Sequence, residues 1–311
     1  MGNSVKVGIG QFSSVHMNLH KSIKRLDEIM EQAAKAGVQL LVVGETWLSG
    51  YPSWLDHCPN VAVWDGKEMR EAYLQFYNSS IAVESKEFQE VIEITRRHKI
   101  NLCLGINEKV NSGIGNGTVY NSYVLISKEG ELLNHHRKLM PTFTEKMLYG
   151  LGDGHGLKAV DTDIGRVGAS ICWEHWMPLN RQALHDSGEQ IHIALWPIVH
   201  EMHQVVSRQY AFEGRCFVLA AGQMLKAKDF PASLELPEYY KTNADQWALT
   251  GGSCIIDPRG KYLVEPVFDK EELIIAQLEL DDIVKEKMTL DTSGHYQRRD
   301  VFTFSVDHTR H

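Results

Sequence analysis

Arg166-Val-Gly-Ala-Ser-Ile-Cys-Trp-Glu-His-Trp-Met-Pro178 is the stretch on which the reading of the chain turns. Val167 to Cys172 is a short apolar run of strand type. It delivers a thiol to a polar, aromatic turn that Pro178 closes. Leu179 to Ser187 then reads as a helix, Ile191-His-Ile-Ala-Leu195 as a strand, and Glu201 to Arg215 as a second helix. Strand, turn, helix and strand again is the unit of a layered α/β fold. Cys172 has two readings at this stage. It is either a nucleophile set where a strand leaves the core, or a buried structural thiol, since free cysteine is among the most buried residue types.

The same pattern extends outward in both directions. Val5, Val7 and Ile9 alternate as a strand, and Leu19, Ile23, Leu26, Met30 and Ala33 mark one face of a helix with Asn18 as a candidate N-cap. Leu40-Leu-Val-Val43 is a continuous apolar run, as in a strand buried on both faces. Phe88 to Arg97 reads as helix and Leu102 to Ile106 as strand. Val119–Ile126 and Leu132–Arg137 form a hairpin around Lys128-Glu-Gly130. Strands at Phe217–Ala221, Ser253–Ile256, Tyr262–Val264 and Leu273–Leu280 complete a mixture of strand–helix units and hairpins. Mixed sheets in an α/β fold are expected, not a purely parallel doubly wound one. Tyr51 to Glu71 and Lys226 to Asp245 read as surface excursions, and the residues after Asp291 as an irregular tail. Nothing divides the chain into domains.

The 311 residues are 43% hydrophobic and 23% charged, with a formal charge of −8. Ample core material is available, and the acidic balance disfavours nucleic acid as a partner. No apolar stretch approaches the length that spans a bilayer, so no membrane is expected. The amino terminus shows no secretory leader and no myristoylation pattern. Cys58, Cys103, Cys172, Cys216 and Cys254 are odd in number and widely spaced. They suggest neither a disulfide framework nor a zinc site, and a cytoplasmic location is expected. His200-Glu-Met-His203 sets its second histidine one residue too early for a zinc helix, and Gly168-Ala-Ser-Ile-Cys172 lacks the second glycine of a serine-hydrolase elbow. No metal and no cofactor are expected.

Two other junctions share the character of Cys172. Glu45 directly follows the Leu40 to Val43 run and precedes Thr46-Trp-Leu-Ser-Gly-Tyr51-Pro52. Lys138 ends Asn134-His-His-Arg137 and precedes Leu139-Met-Pro141. Ligands of open α/β sheets bind where strands end. Alone, Glu45 reads as an exposed loop carboxylate and Lys138 as a solvated lysine; three such ends together point to a site.

The segments Gly44-Glu45-Thr46…Gly50-Tyr51-Pro52, His136-Arg-Lys138-Leu-Met-Pro-Thr142 and Cys172-Trp-Glu-His-Trp-Met-Pro178 resemble the nitrilase superfamily of carbon–nitrogen hydrolases, and within it the nitrilase branch. The similarity runs from Val5 to at least Leu280. The tail motif Gly294-His-Tyr-Gln-Arg298 also resembles that branch, with Arg299 where the family often has proline. The resemblance implies a four-layer αββα sandwich with two mixed sheets, in one domain over residues 1–311. It implies a C-terminal tail, from about residue 281, packing on a neighbouring subunit of a homodimer, a larger homo-oligomer or a spiral. It implies Cys172 as nucleophile, Glu45 as base, Lys138 as the cation that stabilises the intermediates, and a second glutamate after the lysine, a position that Glu145 fits. Tyr51, Trp173 and Trp196 are expected at the substrate, although aromatic residues are more often core.

A free thiol has a pKa near 8.5 and a free glutamate near 4.3, so moving the proton between unperturbed groups costs roughly 6 kcal/mol. Burial of the carboxylate and a nearby ammonium narrow that gap, which is a physical reason for a lysine in the trio. The expected activity is hydrolysis of a small-molecule nitrile to the carboxylic acid and ammonia through a thioimidate and a thioester on Cys172. Rival readings are an amidase or N-carbamoyl hydrolase using the same trio, a non-catalytic binding or scaffold protein on this fold, and a papain-like enzyme, for which no histidine is singled out.

Overall fold

A computed structural model describes residues 4–311; Met1–Asn3, where the amino-terminal reading begins, lie outside the described residues. The strands are β1 Ser4–Gln11, β2 Leu40–Val42, β3 Asn101–Lys109, β4 Val119–Ile126, β5 Leu132–Arg137, β6 Val160–Thr162 and β7 Gly165–Ile171. Then follow β8 Ile191–Leu195, β9 Phe217–Ala221, β10 Met224–Lys226, β11 Trp247–Ile256, β12 Tyr262–Phe268 and β13 Glu272–Glu279.

They form two mixed sheets. The first runs β13-β1-β2-β3-β4-β5, and the second β10-β11-β9-β8-β7-β6, with β12 paired to β11. β1, β2 and β3 are mutually parallel, as are β7, β8 and β9, while the hairpins join antiparallel.

Side-chain alternation builds the layers. Leu40 and Val42 pack with Val5, Val7 and Ile9 against Val167, Ala169 and Ile171 of the second sheet, filling the space between sheets. Leu41 and Val43 point the other way, onto Ile23, Leu26, Met30, Val91 and Ile92. These last belong to the helices Leu19–Lys35 and Lys86–His98, whose N-caps Asn18 and Ser85 accept the N–H groups of Lys21 and Phe88. Val206, Tyr210 and Ala211 of the helix Glu201–Gly214 cover the far face of the second sheet. Helix, sheet, sheet and helix give the αββα sandwich, and the apolar run at residues 40–43 is continuous because both faces of β2 are buried.

The two excursions are a correction to the sequence reading. Trp54 and Leu55 from the first, and Phe230, Leu234 and Tyr240 from the second, are buried together with Phe76 and Tyr149 in a third apolar cluster. His57 stacks on Phe230 at 5.9 Å between centroids. Both segments are polar on average, but their aromatic side chains meet across more than 170 positions of sequence, a separation no local pattern reveals.

The tail lies against its own chain. Phe304 and Val306 pack with Leu157 and Leu184, and Arg310 donates to the His135 carbonyl at 2.6 Å and pairs with Asp153 at 3.2 Å.

Candidate active site

The three strand-end junctions meet. Glu45 lies just past β2 and is fully buried. Its approach is close: a Cβ on Gly105 of β3 would collide with the Gly44 carbonyl, so only glycine fits there. The Glu45 N–H donates to the Trp196 carbonyl at 3.4 Å, and Gln223 Nε2 donates to the Glu45 carbonyl, so the second sheet holds this turn of the first.

Lys138 directly follows β5. Its N–H donates to the Asn121 carbonyl of β4 at 2.8 Å, extending the hairpin. The Asn121 side chain then donates to Glu45 Oε1 at 2.7 Å. Lys138 Nζ donates to Glu45 Oε1 at 2.8 Å and to Glu145 Oε1 and Oε2 at 2.9 and 2.8 Å.

Glu145 is placed by the 3₁₀ turn Phe143–Met147. It caps that turn by accepting the Thr142 N–H at 2.9 Å, and it takes the Tyr51 hydroxyl at 2.7 Å. Among the described residues, none hydrogen-bonds Glu45 Oε2. An oxygen of Glu45, an oxygen of Glu145 and the Cys172 sulfur all lie within 4.8 Å of one another. Two carboxylates and a thiolate could ligate a cation, but the Lys138 ammonium already binds both carboxylates at hydrogen-bond distance.

Cys172 opens the 3₁₀ turn Cys172–Trp176 with φ at +53°, a left-handed conformation that costs a non-glycine residue about 1–3 kcal/mol. Glu174 holds this turn against the lysine segment. Its Oε2 accepts the Ile171 N–H at 2.7 Å, and its Oε1 accepts the Leu139 N–H at 2.8 Å beside His136 Nε2 at 2.9 Å.

Electrostatics follow from burial and crowding. Burial raises the Glu45 carboxyl, the Lys138 ammonium opposes this, and Glu145 raises it again, leaving it at about 7. Burial works against the charge on Lys138, but Cys172, Glu45 and Glu145 outweigh it and hold the ammonium above its ordinary value. Burial and then Glu45 push the Cys172 thiol up, while Lys138 and the Trp173 N–H favour its thiolate.

A cavity of about 910 Å³ opens onto Cys172 and Glu145. Tyr51, Trp173, Trp176, Met140, Phe143 and Met177 line it, with Pro197 and His203. Trp173 and Trp176 meet edge to face at 5.3 Å. Burial, and then His200, lower His203 to about 4, so it faces the cavity uncharged at neutral pH.

Six of the seven expected site residues converge here. The seventh, Trp196, is fully buried behind this wall, stacked on His175 at 4.7 Å, and does not line the cavity. Sequence reasoning overlooked Asn121, whose signal was its place across the hairpin from Lys138. It also overlooked Glu174 as the tie between two junctions, although it stands inside the quoted motif.

A carbon–nitrogen hydrolase family model matches residues 6–287. Among curated proteins, the chain is 34% identical to Nitrilase 2 of an unknown prokaryotic organism, over 97% of this chain and 92% of that one. It is 33% identical to Nitrilase 3 of Arabidopsis thaliana, over 98% and 87%. Among solved structures, the carbon–nitrogen hydrolase of Helicobacter pylori G27 superposes with a TM-score of 0.71 at 19% identity, covering 97% of both chains.

Proposed function

The chain belongs to the carbon–nitrogen hydrolase family, and we propose that it is a nitrilase that turns an organic nitrile into its carboxylic acid and ammonia. The observation that carries this reading is the Lys138 ammonium held between two buried carboxylates beside the Cys172 thiol, at the floor of an aromatic cavity. The relatives named nitrilase, at 33–34% identity over nearly the whole chain, support the choice of nitrile over amide.

Glu45 takes the thiol proton on Oε2, the oxygen without a partner among the described residues. The trio's net charge does not change in this step, so the low-dielectric interior imposes no new net-charge penalty. Protonation of Glu45 also removes a nearby negative charge that disfavours the thiolate. The thiolate attacks the nitrile carbon, a C–S bond forms, and one π bond of C≡N moves its electrons onto nitrogen. Lys138 and the Trp173 N–H stabilise that charge, and Glu45 returns its proton to the nitrogen, giving a thioimidate. Glu45 then draws a proton from water as it adds and passes it to the nitrogen. The hydroxyl proton of the tetrahedral species follows to the nitrogen through Glu45, the C–N bond breaks, ammonia leaves and a thioester remains; a second water adds, its proton passes through Glu45 to the sulfur, and the C–S bond breaks to release the acid and restore the thiol. Glu145 keeps Lys138 charged and aimed.

Glu45 must be a carboxylate to start, so kcat/KM is expected to rise with pH through about 7, the value its burial sets. A pH–rate profile whose acid limb lies near an ordinary glutamate, about 4.3, would count against Glu45 as the base.

Incubation of the protein with matched nitriles and amides, with ammonia assayed, tests the reading as a whole. Ammonia from nitriles is expected. Ammonia from amides alone would reassign the chain to an amidase.

A further inference from the structure

Behind Cys172 lies a buried string of titratable groups that the mechanism above does not use. His175 Nδ1 is 2.7 Å from the Cys172 carbonyl oxygen, and His175 Nε2 is 2.9 Å from His192 Nε2. His192 Nδ1 is 2.8 Å from Glu189 Oε2. Glu189 Oε1 accepts the Tyr210 hydroxyl and faces His185 Nδ1 at 3.2 Å. His175 and His192 are fully buried, and Glu189 nearly so. A Cβ on Gly168 would collide with Glu189 Oε2, so β7 keeps a glycine where the carboxylate passes.

The protons along this string can be assigned from the hydrogen bonds. The Cys172 carbonyl only accepts, so His175 Nδ1 carries a proton. Burial pushes His175 down to about 3, so its ring is neutral and Nε2 is an acceptor. His192 Nε2 must therefore donate. Glu189 Oε2 faces His192 Nδ1, and His192 and His185 hold the Glu189 carboxyl low, at about 2, against its burial. His192 lies between His175 and the Glu189 carboxylate, stacked on Tyr210 at 3.7 Å.

The carbonyl gripped by His175 belongs to the peptide that carries the Trp173 N–H. That peptide is trans, since no described peptide bond is cis, so its C=O and N–H point in opposite directions. Pulling on the carbonyl from behind turns the N–H toward the sulfur, and a donor linked through His192 to the Glu189 carboxylate polarises the peptide as well. The grip also holds Cys172 in its left-handed conformation.

We propose that His175, His192 and Glu189 are a positioning relay that turns and polarises the Cys172–Trp173 peptide, so that its N–H faces the sulfur and the charge that develops beside it. The relay rests on the reading of Cys172 as nucleophile. It needs no proton transfer, and none of its members touches the substrate.

The test compares His175→Phe with His175→Asn. Phenylalanine keeps a ring against Trp196 but removes the donor, while the asparagine amide nitrogen takes the place of Nδ1. Two quantities are measured: kcat and KM for a nitrile, and the pH profile of Cys172 alkylation by iodoacetamide. The other groups that favour or oppose the thiolate, Glu45, Lys138, Glu145 and Tyr51, are left in place. His175→Phe is expected to lower kcat about 10- to 100-fold with KM little changed, and to raise the alkylation midpoint by about one pH unit. His175→Asn is expected to recover much of both. A phenylalanine variant that matches the wild type overturns the relay, and so does an asparagine variant as impaired as the phenylalanine one. If His175→Phe does not fold, Glu189→Gln decides: a smaller rise of the alkylation midpoint supports the relay, and an unchanged midpoint overturns it. Alkylation needs no nitrile, so a wild type inactive on every nitrile and amide would sink the functional reading and leave this comparison intact.

Discussion

Cys172→Ala is expected to lose nitrile hydrolysis by at least about 10⁴-fold, a loss on the scale of removing a covalent nucleophile. The remaining site can polarise a nitrile through Lys138, but it has no atom to add to the carbon. Wild-type protein quenched in acid during turnover should carry an acyl mass on the peptide containing Cys172, and the alanine variant none. Misfolding can be separated from lost chemistry at this position. Cys172 sits at φ +53°, where glycine carries no Cβ penalty. Cys172→Gly should therefore be as inactive as the alanine variant, yet unfold in urea at a midpoint no lower than the wild type. Wild-type-like turnover in either variant would remove the sulfur from the mechanism. A glycine variant that is both inactive and markedly less stable would show that this backbone is not under strain.

The same geometry explains which parts of the molecule could be read from sequence. Glu45 and Cys172 each follow an apolar run and Lys138 a strand-like segment, and all three precede a turn with glycine or proline, so their placement at strand ends is encoded within about ten residues. The sheets were legible for the same reason, since β1, β3, β4 and β7 each carry their own pattern. What failed was long-range. The segments around Trp54 and Phe230 look polar when averaged, and only their mutual packing buries them. Trp196 sits beside Pro197, which does line the cavity, but its ring stacks on His175 and leaves its carbonyl to hold Glu45. The string from His175 to Glu189 draws on the turn after β7, the start of β8 and the loop that leads into it, and Cys-Trp-Glu-His carries no mark that its histidine grips a backbone carbonyl. Residue types and motif order reveal reacting groups; the groups that aim them depend on which elements the fold brings together.

Lys138→Met is expected to damage the site more broadly than loss of the sulfur does. In the native protein one ammonium bonds three carboxylate oxygens, all within 2.9 Å of Nζ, where no water can take its place. Methionine fills the volume but leaves Glu45 and Glu145 facing each other. Breaking a buried ion pair from one side costs about 3–5 kcal/mol. The carboxylates can limit that cost by sharing a proton, as paired carboxylates do, and this removes the base as well. The variant thus lacks the cation that stabilises nitrogen in the first step and oxygen in the last, and it holds Glu45 protonated at neutral pH. A loss of kcat of at least about 10³-fold follows, with a lowered urea midpoint that recovers in part as pH falls and the carboxylates are neutralised. Lys138→Arg should not rescue activity, because a planar guanidinium cannot occupy the point between Asn121, Glu45 and Glu145 that a compact ammonium fills. Adding Glu145→Gln to Lys138→Met should restore stability without activity, since it removes the repulsion but not the need for the cation. If the methionine variant kept activity within tenfold of the wild type, Lys138 would hold the carboxylates together and do nothing for the reacting nitrile.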